Sequence, residues 1–113
     1  MDLENQQDRI DFERQRNQLM QLSSQKQQLQ FQTKMLKDAL EEISKTKEEK
    51  VLKAVGNIMI QTPVTEVKKE LAEEVEAMEL RLKTVQKQED ISIDKMNKLK
   101  KKIEAVEKPK EEK

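Results

Sequence analysis

Cysteine and histidine are both absent from the 113 residues. Without them there is no thiol nucleophile, disulfide or zinc site, and no imidazole for general base catalysis or metal ligation. A single glycine, Gly56, leaves no material for a phosphate-cradling loop or a dinucleotide fingerprint. Tryptophan and tyrosine are missing, and Phe12 and Phe31 are the only aromatics. No apolar run approaches the roughly 20 residues that span a bilayer, and the opening MDLENQQDRI lacks the basic-then-apolar order of a signal peptide. Net charge is zero, so global electrostatics favour neither nucleic acid nor a membrane surface. These absences lead us to expect a non-enzyme with no cofactor, metal, nucleic-acid or membrane partner. The missing cysteine fits a reducing cytosol, and a cytoplasmic location is expected.

What the chain does contain is charge. Charged residues make up 41% and hydrophobic ones 34%, with Glu, Lys, Gln and Leu dominant, so the choice lies between long helix and disorder. Periodicity decides it. In the first arm Phe12, Leu19, Lys26, Thr33 and Leu40 recur every seven residues, and Gln15, Leu22, Leu29, Leu36 and Ile43 follow three behind. An a/d pattern held over about five heptads is a coiled coil rather than a surface helix. The glutamines between these positions form its solvated face. Leu3, Ile10 and Phe31 fall at f, opposite the seam, while Met20 and Met35 fall at b and c. Together Leu3, Ile10, Phe12, Leu19 and Met20 clothe the far end on several faces. Either that end frays or packs on a neighbouring chain, or it is an adhesive tip for other proteins.

The second arm keeps strict 4,3 spacing through Leu71, Val75, Met78, Leu82, Val85, Glu89, Ser92, Met96, Leu99, Ile103 and Val106. Thr62 is placed as its N-cap and Pro63 in its first turn. Acidic residues crowd its start and lysines its end, matching the helix dipole. The run Lys98–Lys102 reads as a solvated helix end, because Leu99 within it lies on the seam and no aromatic interleaves. Pro109 stops the helix. Each arm, about 44 residues, spans roughly 65 Å at 1.5 Å per residue. Folded back on each other, they bring Leu36 near Met78, Leu29 near Val85, Phe12 near Ile103 and Lys26 near Glu89. The polar interruptions of the two seams coincide.

Between the arms lies VLKAVGNIMIQT. The Gly56-Asn57 pair, set between apolar and β-branched runs, predicts a two-residue hairpin turn pairing Val55 with Ile58, Ala54 with Met59, Lys53 with Ile60 and Leu52 with Gln61. Both hairpin faces carry apolar residues. An isolated two-stranded hairpin is marginal in water and exposes two unpaired edges, so it should pair with strands of other chains. The expected organisation is a first helix over 1–49, a hairpin over 50–62, a second helix over 63–107 and a charged, disordered tail over 108–113. The fold class is mostly α, a long antiparallel two-helix coiled coil with one central β-hairpin.

This pattern resembles the beta-type subunits of prefoldin. The residues that carry the resemblance are Val51, Leu52, Lys53, Val55, Gly56, Asn57, Ile58, Met59 and Ile60, supported by Glu79, Leu80, Arg81 and Leu82 ahead of the polar stretch 86–89. The likeness runs from about Gln6 to Val106. The resemblance implies an intersubunit β-barrel, with Val51, Leu52, Val55, Gly56, Asn57, Ile58, Met59 and Ile60 as the oligomerisation element. It implies a hexamer of two alpha-type and four beta-type subunits, the alpha-type carrying a second hairpin. It further implies an ATP-independent holdase that grips non-native client proteins at its tips and delivers them to a group II chaperonin. By their location near the chain ends, Leu3, Ile10, Phe12, Leu19, Met20, Leu99, Ile103 and Val106 are the tip candidates. The alternative is a structural coiled-coil scaffold or tether without general affinity for unfolded proteins.

Overall fold

The computed structural model describes residues 3–107, with side chains over 5–105. The element order is α1 (Leu3–Lys45), β1 (Lys50–Val55), β2 (Ile58–Pro63) and α2 (Val64–Glu107). Two long helices thus flank a two-stranded antiparallel hairpin. The expected tail lies outside the described residues, as do the side chains of Leu3 and Val106.

The helices are amphipathic stripes rather than parts of a globular core. Their most buried apolar residues are Leu22, Leu29, Val75 and Val85, all on the heptad seams, and no described side chain is completely enclosed. Contacts cluster in two compact units. One joins the residues up to Gln27 with those from Thr84 onward, and the other is Gln28–Lys83.

In the first unit the seam reaches further back than Phe12. Asn5, one heptad earlier, is buried, and Asp8, four residues before Phe12, is half-buried. The polar positions of this unit meet as expected from the seam register. Lys26 Nζ donates to Glu89 Oε1 at 2.7 Å, and Ser23 Oγ donates to Oε2 of the same carboxylate at 2.7 Å. Lys26 Nζ also reaches Gln86 Oε1 at 3.3 Å. Glu89 is buried to 6% side-chain exposure, while Lys26 keeps 25%. Both carboxylate oxygens therefore have partners, as a buried charge demands. The hydrogen bond from Lys26, then that from Ser23, holds the Glu89 carboxyl below its usual pKa against the opposing effect of burial.

The second unit contains the hairpin and the adjoining parts of both helices. Thr33 is buried on the seam and returns its hydroxyl to the Leu29 carbonyl at 2.7 Å, so its one polar atom is satisfied within α1. Lys37 and Glu79 form an exposed ion pair at 2.6 Å, of the kind that contributes little to stability. α1 ends where Thr46 N closes a last turn on the Glu42 carbonyl and Thr46 Oγ1 accepts from Glu48 N.

The start of α2 departs from the expected cap. Pro63 pairs with Lys50 as the last residue of β2, and the helix begins at Val64. Thr62 lies inside the strand, its hydroxyl donating to the Ile60 carbonyl at 3.1 Å. The orphan amide of Val64 donates instead to the Glu49 carbonyl at 2.9 Å. Cross-strand pairing prevails over side-chain capping, and a backbone oxygen from the far side of the hairpin does the cap's work.

Candidate assembly and client-binding surfaces

The hairpin register is Lys50↔Pro63, Val51↔Thr62, Leu52↔Gln61, Lys53↔Ile60, Ala54↔Met59 and Val55↔Ile58. The turn depends on Gly56, which sits at φ +60°. A Cβ there would meet open space, so the requirement for glycine is conformational rather than steric. Side chains alternate between two faces. One face carries Val51, Lys53 and Val55 opposite Thr62, Ile60 and Ile58. It is anchored at its base, where Thr62 is buried and Val51 half-buried. The other carries Leu52 and Ala54 opposite Gln61 and Met59, all exposed. Leu52, Ile58 and Met59 each leave about 60% of their surface open, and Val55 and Ile60 are exposed as well. Toward the turn this apolar ribbon has solvent on both sides and lacks the one covered face that normally stabilises a sheet.

Apart from Lys50 at the start of β1, Lys53 is the charged residue within the strands. Its Nζ donates to Glu70 Oε1 on α2 at 2.7 Å, with both side chains about 40% exposed. The bond to Glu70 raises the lysine's pKa above its usual value, with further support from Glu66 and Glu74.

The tip candidates divide by heptad position. Ile10 and Met20 point away from the seam and are exposed, while Phe12, Leu19, Leu99 and Ile103 are half-buried along it. Phe12 and Ile103 come together in an open groove of about 410 Å³, flanked by Arg9 and Lys100. Leu99 lines a second groove of about 310 Å³ with Gln15, Arg14 and Lys95. Further exposed apolar side chains stand at Ile91 and Ile93 on α2, which the seam reading passed over. They flank Ser92, and a count outward from that seam position would have found them. Phe31, Met35 and Leu80 are exposed too. No helix of the described residues is long and apolar enough to cross a membrane, and no group of carboxylates among them is arranged to hold a metal ion.

Two long helices joined by an apolar ribbon with two strand edges define a class of protein, the helix–hairpin–helix coiled-coil subunit. The family model described as "Prefoldin subunit" matches residues 6–108. The prefoldin subunit beta of Thermococcus onnurineus is 37% identical over 93 residues, covering 81% of this chain and 80% of that protein. The corresponding subunit of Pyrococcus furiosus shows the same identity and coverage. The crystal structure of the prefoldin beta subunit from Thermococcus strain KS-1 matches with a TM-score of 0.90 at 28% identity, covering 96% of each chain. The chain belongs to the prefoldin subunit family, as a beta-type member with a chaperone-type, non-enzymatic role.

Proposed function

We propose that this chain is the beta-type subunit of an ATP-independent holdase that works in the cytoplasm. In this reading Val51, Leu52, Val55, Gly56, Asn57, Ile58, Met59 and Ile60 join the strands of alpha-type and sister subunits in a shared barrel, within a hexamer of two alpha-type and four beta-type chains. The distal helical ends grip non-native proteins and release them to a group II chaperonin. Leu3, Ile10, Phe12, Leu19, Met20, Leu99, Ile103 and Val106 supply the contact. The observation that carries the reading is the hairpin, whose Leu52, Ile58 and Met59 are exposed on a ribbon with two open edges. Apolar surface of that kind is stable only when other strands cover it. Ile10 and Met20, exposed outside the seam, supply the second apolar surface.

The test is removal of residues 1–15 and 100–113 from the chain, assembled with the alpha-type subunit of the same organism. The truncated complex should keep the mass of a two-plus-four hexamer and lose its ability to suppress aggregation of a chemically denatured client. Undiminished protection by the truncated complex would refute the tip assignment. Protection confined to one folded ligand would favour a tether instead.

A further inference from the structure

The hairpin is held to the helices through few groups. At its base lie the hydrogen bond from Val64 N to the Glu49 carbonyl and the buried Thr62. Toward the turn that support ends, since Val55 and Ile58 are exposed on the same face that Thr62 anchors. Between base and turn stands Lys53, whose 2.7 Å bond to Glu70 is the one side-chain hydrogen bond from the hairpin to a helix among the described residues. A lysine between Val51 and Val55, opposite Ile60, is a poor choice for strand propensity or apolar burial. Its position is explained by its partner. Glu70 stands near the start of α2, with Glu66 and Glu74 four residues to either side, so the ammonium faces a row of carboxylates on one helical face.

We propose that Lys53 and Glu70 are positioning residues for assembly: their ion pair fixes the angle at which the hairpin leaves α2, so that its edges meet neighbouring strands in one geometry. The inference rests on the reading of the hairpin as the assembly element. Strand addition requires several N–H···O bonds to align together, and a ribbon free to pivot about its base presents mostly unproductive angles. Restricting that motion in advance lowers the ordering cost of association. The exposed pair adds little to the stability of the chain itself, so its effect belongs to assembly rather than to helix melting. A different role for Lys53, discouraging wrong strand pairing by charge, would need the lysine but not Glu70.

Four variants separate these possibilities, each mixed with the alpha-type subunit of the same organism and followed by native mass spectrometry through a dilution series. Lys53→Met and Glu70→Gln should each raise the concentration needed for half-assembly by about tenfold, while Lys53→Arg, which retains the ion pair, stays within about twofold. Helix melting by circular dichroism should be unchanged in all three. Normal assembly by both Lys53→Met and Glu70→Gln would overturn the proposal. A defect in Lys53→Met with normal assembly by Glu70→Gln would overturn it in favour of charge-based discrimination. The fourth variant, Ile58→Asp, tests the underlying reading: if it assembles normally, the hairpin is not the assembly element, and both ideas fall together.

Discussion

Replacing Lys26 with methionine isolates the buried carboxylate of Glu89. Methionine keeps most of the aliphatic stem and removes the cation, leaving Ser23 as the hydrogen-bond donor from α1. Breaking a buried ion pair costs about 3–5 kcal/mol when the remaining charge is fully enclosed. Here Lys26 is a quarter exposed, so water reaches the gap and the lower part of that range applies. Proton uptake sets a ceiling. From an ordinary carboxyl value of 4.5, neutralising Glu89 at pH 7 costs about 3.4 kcal/mol at 1.36 kcal/mol per pH unit. The expected loss at pH 7 is therefore about 3 kcal/mol.

The sign of the pH dependence follows from the same groups. In the native chain Glu89 is held below its ordinary pKa, so its stabilising effect is present above that value and is lost as pH falls through the lowered one. In the variant, burial without Lys26 favours the neutral acid, and stability is lost as pH rises. The gap between the two proteins should thus widen from pH 4 to pH 7. Urea denaturation followed by helical circular dichroism, at one fixed chain concentration, measures it. A gap that stays constant or narrows over that range would refute the assignment of Lys26 as the compensating charge. Replacing both Lys26 and Glu89 with leucine should recover stability to within about 1 kcal/mol of the native chain or exceed it, because a well-packed apolar pair avoids the desolvation cost.

Gly56→Val should cost about 2 kcal/mol, since an L-residue at this positive φ is strained and a β-branched one more so. Gly56→Asn should cost less than about 1 kcal/mol, the two being compared by the fraction assembled in native mass spectra. Thr33→Val should stabilise α1 by about 0.5–1 kcal/mol in urea melts, because the buried hydroxyl serves only its own helix. Phe12→Ser with Ile103→Ser opens the floor of the distal groove and should weaken suppression of client aggregation by at least about threefold without altering the assembled mass. Unchanged suppression would remove that groove from the client surface.

The hairpin register was legible because Gly56-Asn57 admits one two-residue turn, and the pairing then follows by counting outward. The Lys26–Glu89 contact was legible because arms of equal length put their polar seam positions at one level. The start of α2 was not. Thr62-Pro63 carries good capping chemistry, yet the ladder runs through both residues and delivers the Glu49 carbonyl to Val64. Ser23 was missed because a small polar residue beside the seam carries no periodic signal. Asn5 was missed because a polar residue at an a position looks like the end of the seam rather than its continuation. The contrast between half-buried Leu19 and exposed Met20, one residue apart, follows from the heptad alone. How far each is available to a client is a property of the tip surface that repeat counting does not describe.

A ribbon with two dissimilar edges, one on β1 and one on β2, has a geometric obligation beyond being covered. Joining the first edge of one copy to the second edge of the next is a head-to-tail contact, and such contacts either return to their starting point or propagate without end. The right-handed twist between neighbouring strands turns each addition away from a flat run and toward closure. In the proposed assembly, the supply of companion subunits at the right ratio is what stops growth at a finite ring instead of a fibre.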